Sequence, residues 1–152
     1  MSKGIAVFPG SFDPITIGHV DIVKRALELF DEIIIGIGDN TSKKYYFPIE
    51  EREVFIRKVF SNESKVKVLR YYGLTIDFCK EKGASYILRG LRTSADFEFE
   101  RAIAQNNKAM SGIDTIFLVS EPQYSHISST IVRDILTHKG NASQFLPKDV
   151  RL

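Results

Sequence analysis

The sequence predicts an α/β fold of the doubly wound type, a five-stranded parallel sheet with helices on both faces. Three observations lead there. Short β-branched or aromatic runs recur along the chain, each is followed by a segment with apolar residues at helical spacing, and no long linker, internal repeat or low-complexity tract breaks the alternation. Strands this apolar are the kind that helices cover on both sides.

The expected strands are Ile5 to Phe8, Glu32 to Ile37, Val66 to Tyr71, Tyr86 to Arg89 and Thr115 to Val119. Between the first two, His19 to Phe30 sets Val20, Val23, Ala26, Leu27 and Phe30 on one helical face. Pro48 to Phe60 opens with proline and acids, as a helix start prefers. Leu74 to Lys82 ends at Gly83, a C-cap residue, and Ser94 to Met110 begins with Ser94 and Asp96 near its cap. Ser128 to Lys139 closes at Gly140. In the Rossmann-like strand order 3-2-1-4-5, the winding reverses between strands 1 and 4, and ligands bind outside their carboxyl ends. The loops there are Pro9 to Gly18 and Gly90 to Thr93.

A chain of 152 residues fits a single domain spanning 1–152, and its formal charge of +2 is too small to act as a global field for nucleic acid. No apolar stretch is long enough for a membrane span, and the first ten residues lack the long apolar core of a leader, so a cytoplasmic location is expected. Cys79 is the one cysteine, which excludes an internal disulfide and a cysteine-cluster metal site.

The standard phosphate loop is missing. Gly36-Ile37-Gly38-Asp39-Asn40-Thr41 lacks the third glycine of the dinucleotide fingerprint and reads better as a strand end and turn. Pro9 to His19 instead feeds a strand directly into a helix whose free N–H groups attract anions, with Gly18 allowing close approach and His19 in the first turn. Two readings of His19 separate cleanly. A hydrogen-bond donor to the transition state would lower turnover and leave stability alone, while a residue that only caps the helix would do the reverse. Arg89-Gly90-Leu91-Arg92 offers two guanidinium forks suited to phosphates, against the alternative of pairing with Asp96, Glu98 and Glu100 in the next helix. Ser128, Ser129 and Thr130 supply more hydroxyls than one cap needs, which suggests a polyphosphate at a second helix N-terminus, or else simple capping. Lys43 and Lys44 lie after strand 2, where they form a solvated turn or reach the crevice opposite Arg92.

These segments carry a resemblance. Gly10-x-Phe12-x-Pro14 followed by Thr16-Ile17-Gly18-His19, and Ile127 to Arg133, are similar to the two signatures of the nucleotidyltransferase superfamily. With Ser42-Lys43-Lys44, Glu50-Glu51-Arg52, Arg89 to Arg92, Ala95 to Glu100 and Phe145-Leu146-Pro147, the whole chain resembles the bacterial phosphopantetheine adenylyltransferases. The resemblance implies transfer of the adenylyl group of ATP to 4'-phosphopantetheine, giving dephospho-coenzyme A and pyrophosphate. It implies phosphopantetheine contacts from Ser11, Lys43, Leu74, Thr75 and Arg89. It implies ATP contacts from Ser11, Phe12, His19, Gly90, Leu91, Arg92, Glu100, Tyr124, Ser125, His126, Ile127, Ser128, Ser129 and Thr130. The departures are Ser11 for the commoner threonine, Ile17 where asparagine is frequent, and Thr75 where many members carry a larger apolar residue. By the resemblance, Leu152 falls a few residues into what would be the family's last helix.

The implied roles need no covalent step. An acceptor phosphate is largely dianionic at neutral pH, so positioning and charge neutralisation remain. His19 and Ser11 would address the α-phosphate, Lys43 would bridge donor and acceptor, and Arg92 with the 128–130 amides would hold the outer phosphates. Mg²⁺ would be held by phosphates and water, since no Asp cluster marks a protein metal site. A homohexamer and inhibition by coenzyme A are further implications of the resemblance. A different small-molecule adenylyl- or cytidylyltransferase would share the His19 and Ser128 signatures but not the Lys43 and Arg89 to Glu100 set, and a non-catalytic regulator would have lost His19 or Lys43.

Overall fold

The computed structural model describes residues 1–152. Five strands, β1 (Ile5–Gly10), β2 (Glu32–Gly38), β3 (Val66–Tyr71), β4 (Tyr86–Leu91) and β5 (Asp114–Val119), form one parallel sheet in the order β3-β2-β1-β4-β5. The helices α1 (Ile17–Ala26), α2 (Ile49–Val59), α3 (Thr75–Glu81), α4 (Ser94–Ser111) and α5 (Ser129–Thr137) connect or follow the strands. The expected alternation and strand order are both observed.

The central strands are buried on both faces, as their unbroken apolar runs require. Ile33, Ile35 and Ile37 point into the larger core with Val23, Ile56 and Val132 of α1, α2 and α5. Val7, Ile34 and Ile87 point the other way, onto Ile76, Phe78 and Cys79 of α3. Each of these side chains contributes about 1.5–3 kcal/mol by leaving water. Cys79 is a buried free thiol, and its burial pushes the pKa up to about 11, so it is inert packing.

The sheet positions the site by coming apart. β1 stays in register with β2 from Ile5↔Glu32 to Gly10↔Ile37, whereas its pairing with β4 stops after Ala6↔Tyr86 and Val7↔Ile87. Beyond Val7 the two strands diverge, and the crevice between their carboxyl ends is the place where a doubly wound sheet holds its ligand.

Several boundaries differ from expectation. α1 ends at Ala26, and the carbonyls just past it are met from other elements, with Lys65 Nζ donating to Leu27 O and Lys3 Nζ to Glu28 O. Phe30, expected in the helix, instead turns into the core beside Tyr86. Thr93, not Ser94, caps α4, its hydroxyl accepting from the Asp96 amide. α5 stops at Thr137, and Lys139 rather than Gly140 takes the left-handed turn, with φ 61°. Gly140 is required for space, since a Cβ there would stand 2.8 Å from Ile135 Cγ2. Gly36 and Gly38 lie in β2, in keeping with the strand-end reading of that segment.

Candidate active site

The crevice opens into a cavity of about 240 Å³ lined by the first turns of α1 and α5 together with Phe8, Arg89, Gly90, Arg92, Asp96, Glu100, Ser120 and Tyr124. Two helix N-termini therefore meet one space. Thr16 caps α1, accepting the His19 amide at 3.4 Å, and the Thr16 amide donates back to His19 Nδ1 at 3.0 Å. This reciprocal pair is a capping box with histidine in place of the usual acid. It also fixes the ring's tautomer. Nδ1 accepts a backbone N–H and stands 3.2 Å from the Thr16 hydroxyl, so in the neutral ring the proton resides on Nε2, which has no protein acceptor. Burial, and then the charges of Arg89 and Arg92, lower the His19 pKa from 6.5 to about 4. The ring is accordingly a neutral donor at pH 7, held edge-on against Phe12 at 5.1 Å between centroids. Phe12 has φ 46°, a conformation that costs a bulky residue energy. The sequence set capping and catalysis against each other for His19, whereas the geometry has one ring nitrogen capping and leaves the other for the cavity.

At α5, Ser128 is the N-cap, its hydroxyl accepting from Ile131 N at 3.2 Å. Ser129 Oγ donates to Pro14 O at 2.8 Å, and Thr130 Oγ1 accepts from Arg133 Nη2 at 3.2 Å. Each hydroxyl has a partner within the protein, yet those of Ser128 and Thr130 only accept there and keep their own protons to donate into the cavity they line. Further free donors here are the backbone amides of Ser129 and Thr130, which find no acceptor in the chain.

The arginines are paired as the plainer reading of the sequence had it. Arg89 forms a fork with Glu100, at 2.6 and 3.0 Å, and its third nitrogen donates to Pro9 O at 2.6 Å across the gap between β1 and β4. Arg92 bonds Asp96 through both its amide, at 3.0 Å, and its Nε, at 3.1 Å. Both guanidiniums still line the cavity. A phosphate entering it meets two oriented cations, two helix N-termini and a neutral imidazole donor.

On the other side of Pro9 and Gly10 lies a groove of about 530 Å³, where Lys43 Nζ donates to Ser11 Oγ at 3.0 Å. Arg52 ties this groove together. Only 1% exposed, it donates to Phe47 O (3.0 Å) and Ser11 O (2.8 Å), and its guanidinium lies over the Tyr45 ring at 3.9 Å. Asp13, equally buried, accepts from the amides of Tyr46 and Phe47 at 2.8 Å each, and its own carbonyl accepts from Arg133. The Lys43 loop is thereby fastened to the loop that leads into α1. A third cavity, about 200 Å³ between α3 and α4, shares Arg89 and Glu100 with the first and Gly10 and Tyr71 with the groove.

The structure thus brings His19, Gly90, Arg92, Glu100, Tyr124, Ile127, Ser128, Ser129 and Thr130 to one cavity, Ser11 and Lys43 to the groove, and Thr75 to the third space, with Arg89 between the first and third. It leaves others outside. Leu74 is 57% exposed ahead of α3, His126 packs on Phe145, Ser125 bonds Pro122 O, Phe12 is buried beneath His19, and Leu91 lines none of the three spaces. Sequence reasoning gave no site role to Asp13, Arg52 or Arg133, which brace the loops, or to Ile22 and Ser120, which line the main cavity. Only the burial of Asp13 and Arg52 distinguishes them, and single residues carry no such signal in a sequence.

Comparison with known proteins agrees with this fold. Residues 7–135 match the family model described as cytidylyltransferase-like. The phosphopantetheine adenylyltransferase of Christiangramia forsetii is 59% identical over 146 residues, covering 96% of this chain and 97% of that protein. The enzyme of that name from Bacteroides thetaiotaomicron is 50% identical over 147 residues, covering 97% of each. Among solved structures, a bifunctional NMN adenylyltransferase/ADP ribose pyrophosphatase from Francisella tularensis superposes with a TM-score of 0.71 at 18% identity, over 97% of this chain and 46% of its own, a likeness of fold. A capped, neutral histidine between two helix N-termini, on a sheet ordered 3-2-1-4-5, and identities of this extent place the chain in the phosphopantetheine adenylyltransferase family of the nucleotidyltransferases.

Proposed function

We propose that the chain catalyses the reversible transfer of the adenylyl group of ATP to 4'-phosphopantetheine, giving dephospho-coenzyme A and pyrophosphate. The observation that carries this reading is the neutral His19 ring, its Nε2–H free, set between the N-termini of α1 and α5 and beside Arg92. The triphosphate lies in that cavity. Its outer phosphates take the Ser129 and Thr130 amides and Arg92, and its α-phosphate takes Nε2–H of His19. The acceptor phosphate binds at Lys43 and Ser11, and its arm runs past Gly10 into the space between α3 and α4.

The chemistry follows from placement. An oxygen of the acceptor phosphate attacks the α-phosphorus, the bond to the β-phosphate oxygen breaks, and pyrophosphate leaves with that electron pair. No proton has to be removed from the acceptor, and a neutral His19 is poorly suited to remove one while its Nδ1 is engaged by Thr16. What the chain supplies is orientation, together with fixed donors toward charge that builds on the α-phosphate oxygens. Mg²⁺ would screen the triphosphate charge. Asp96 and Glu100, the carboxylates of the cavity, are both engaged by arginines, so the ion is assigned to phosphate oxygens and water.

Coenzyme A combines the acceptor arm with an adenine nucleotide, so it would fill both spaces and act as a competing inhibitor. A homohexamer is in keeping with α4, on which Phe99, Ile103 and Met110 are exposed. The 152 residues would act as one nucleotidyltransferase domain, and a cytoplasmic location suits an ATP-dependent enzyme. Pyrophosphate release measured with ATP and a panel of acceptors tests the assignment. Turnover is expected with phosphopantetheine and not with nicotinamide mononucleotide. Equal turnover with both, or none with phosphopantetheine, would overturn it.

A further inference from the structure

One hydrogen-bonded pair in the space between α3 and α4 is not used by the steps above. Tyr71 Oη and Thr75 Oγ1 stand 2.9 Å apart. The Tyr71 ring is stacked on Phe78, with centroids 4.7 Å apart and planes 14° from parallel. Its other neighbours are the bare backbone of Gly36 and Gly38, where a Cβ would meet the ring at 3.1 Å and the hydroxyl at 3.4 Å respectively. The ring is therefore held in position from β2 and α3 together.

Its place is between two compartments. Tyr71 lines both the groove of Lys43 and Ser11 and the cavity between α3 and α4. A molecule whose phosphate sits at Lys43 and whose tail occupies that cavity has to pass this ring. Within the pair one hydroxyl proton is spent, which leaves one donor and free lone pairs facing the tail. Elsewhere in the same cavity Thr115 has a buried Oγ1 with no hydrogen-bond partner, and the Asn107 carboxamide has none either. Arg89 and Glu100 neutralise one another, and Ile87, Phe99 and Ile103 complete an apolar wall. Neutral donors and acceptors set among apolar surface suit an uncharged chain containing amides.

We propose that the Tyr71–Thr75 hydroxyl pair determines acceptor specificity by hydrogen-bonding an amide of the uncharged arm, so that the enzyme selects arm-bearing acceptors over those that offer only the phosphate end. The inference rests on phosphopantetheine being the acceptor.

The test uses Tyr71→Phe and Thr75→Val, each of which removes one hydroxyl and little volume. Binding by calorimetry and kcat/KM are measured for phosphopantetheine, and binding for a truncated acceptor that keeps the phosphate and its branched alcohol but carries neither amide. Each variant is expected to lose about tenfold in affinity and kcat/KM for the full acceptor, chiefly through KM. Binding of the truncated acceptor and of ATP should stay within about twofold, which also reports an intact fold. Because the hydroxyls act as one pair, the double variant should be little worse than either single one. Full-acceptor values within twofold of the parent in both variants, or equal losses on the two acceptors, would overturn the proposal alone. A parent enzyme that releases no pyrophosphate with phosphopantetheine would overturn the assigned reaction, and the proposal with it.

Discussion

Replacing His19 with alanine separates the two tasks of its ring by size. The ring's Nε2–H is the donor assigned to the α-phosphate, and loss of one fixed donor to developing charge costs on the order of 10²- to 10³-fold in kcat. Because the same charge is less developed in the ground state, dissociation constants for ATP and phosphopantetheine should move by much less. Nδ1 meanwhile accepts from the Thr16 amide at 3.0 Å, and that bond disappears in the same variant. A lost capping interaction costs about 1 kcal/mol, and for a chain of 152 residues that is a fall of about 2–4 °C in Tm. A small destabilisation therefore accompanies a large loss of turnover, where the sequence alone suggested one without the other. Stopped-flow or steady-state kcat, equilibrium ATP binding and calorimetric unfolding on one preparation give all three quantities. Turnover within threefold of the parent would refute the assigned role, and an unchanged Tm would refute the capping geometry.

Three further outcomes follow from the same structure. His19 has a folded pKa of about 4 against 6.5 when unfolded, so between these values the unfolded chain binds the extra proton. The neutral ring's contribution to stability is complete above pH 6.5 and is lost as pH falls toward 4, on the order of 3 kcal/mol in all. Nitrogen NMR of the ligand-free protein should show the Nε2–H tautomer unchanged down to pH 5, and a midpoint above 6 would contradict it. Lys43→Ala should weaken phosphopantetheine about thirtyfold while ATP affinity stays nearly constant, since Lys43 reaches Ser11 in the groove and lies outside the main cavity. The opposite pattern in calorimetric titration would exchange the two binding sides. Gly36→Ala brings a Cβ to 3.0 Å from Phe78 and 3.1 Å from Tyr71, so overpacking of the stacked rings should cost about 1–3 kcal/mol in denaturant unfolding, and an unchanged midpoint would mean the stack yields freely.

The fold was legible because each strand is buried on both sides. An unbroken run such as Ile33 to Ile37 has one stable environment, and the alternation with helices leaves few ways to connect parallel strands. Helix ends were less legible, as Lys139 and Gly140 illustrate. A glycine after a helix signals a left-handed turn, but close approach of Ile135 explains this one, and that contact is a fact of packing. The site divides in the same way. His19 stood out because a motif of fixed spacing surrounds it, and Lys43 because its loop follows a strand beside the first. That the Ser129 hydroxyl would be taken up by Pro14 O depends on a partner brought in by tertiary structure. Arg52 was equally hidden, being one arginine of a charged helix until its burial and its carbonyl partners are seen.

The early end of the ladder between β1 and β4 has a mechanical meaning. Those strands share two registered residue pairs, while each of the other neighbouring strands in the sheet shares six, so the molecule has a built-in seam with β3-β2-β1 on one side and β4-β5 on the other. Ser11, His19 and Lys43 lie on elements of the first half, and Arg89 and Arg92 on or just past β4 in the second. Two substrates in place would span that seam like a rivet, beside the bonds of Arg89 to Pro9 O and Arg25 to Val119 O that already cross it.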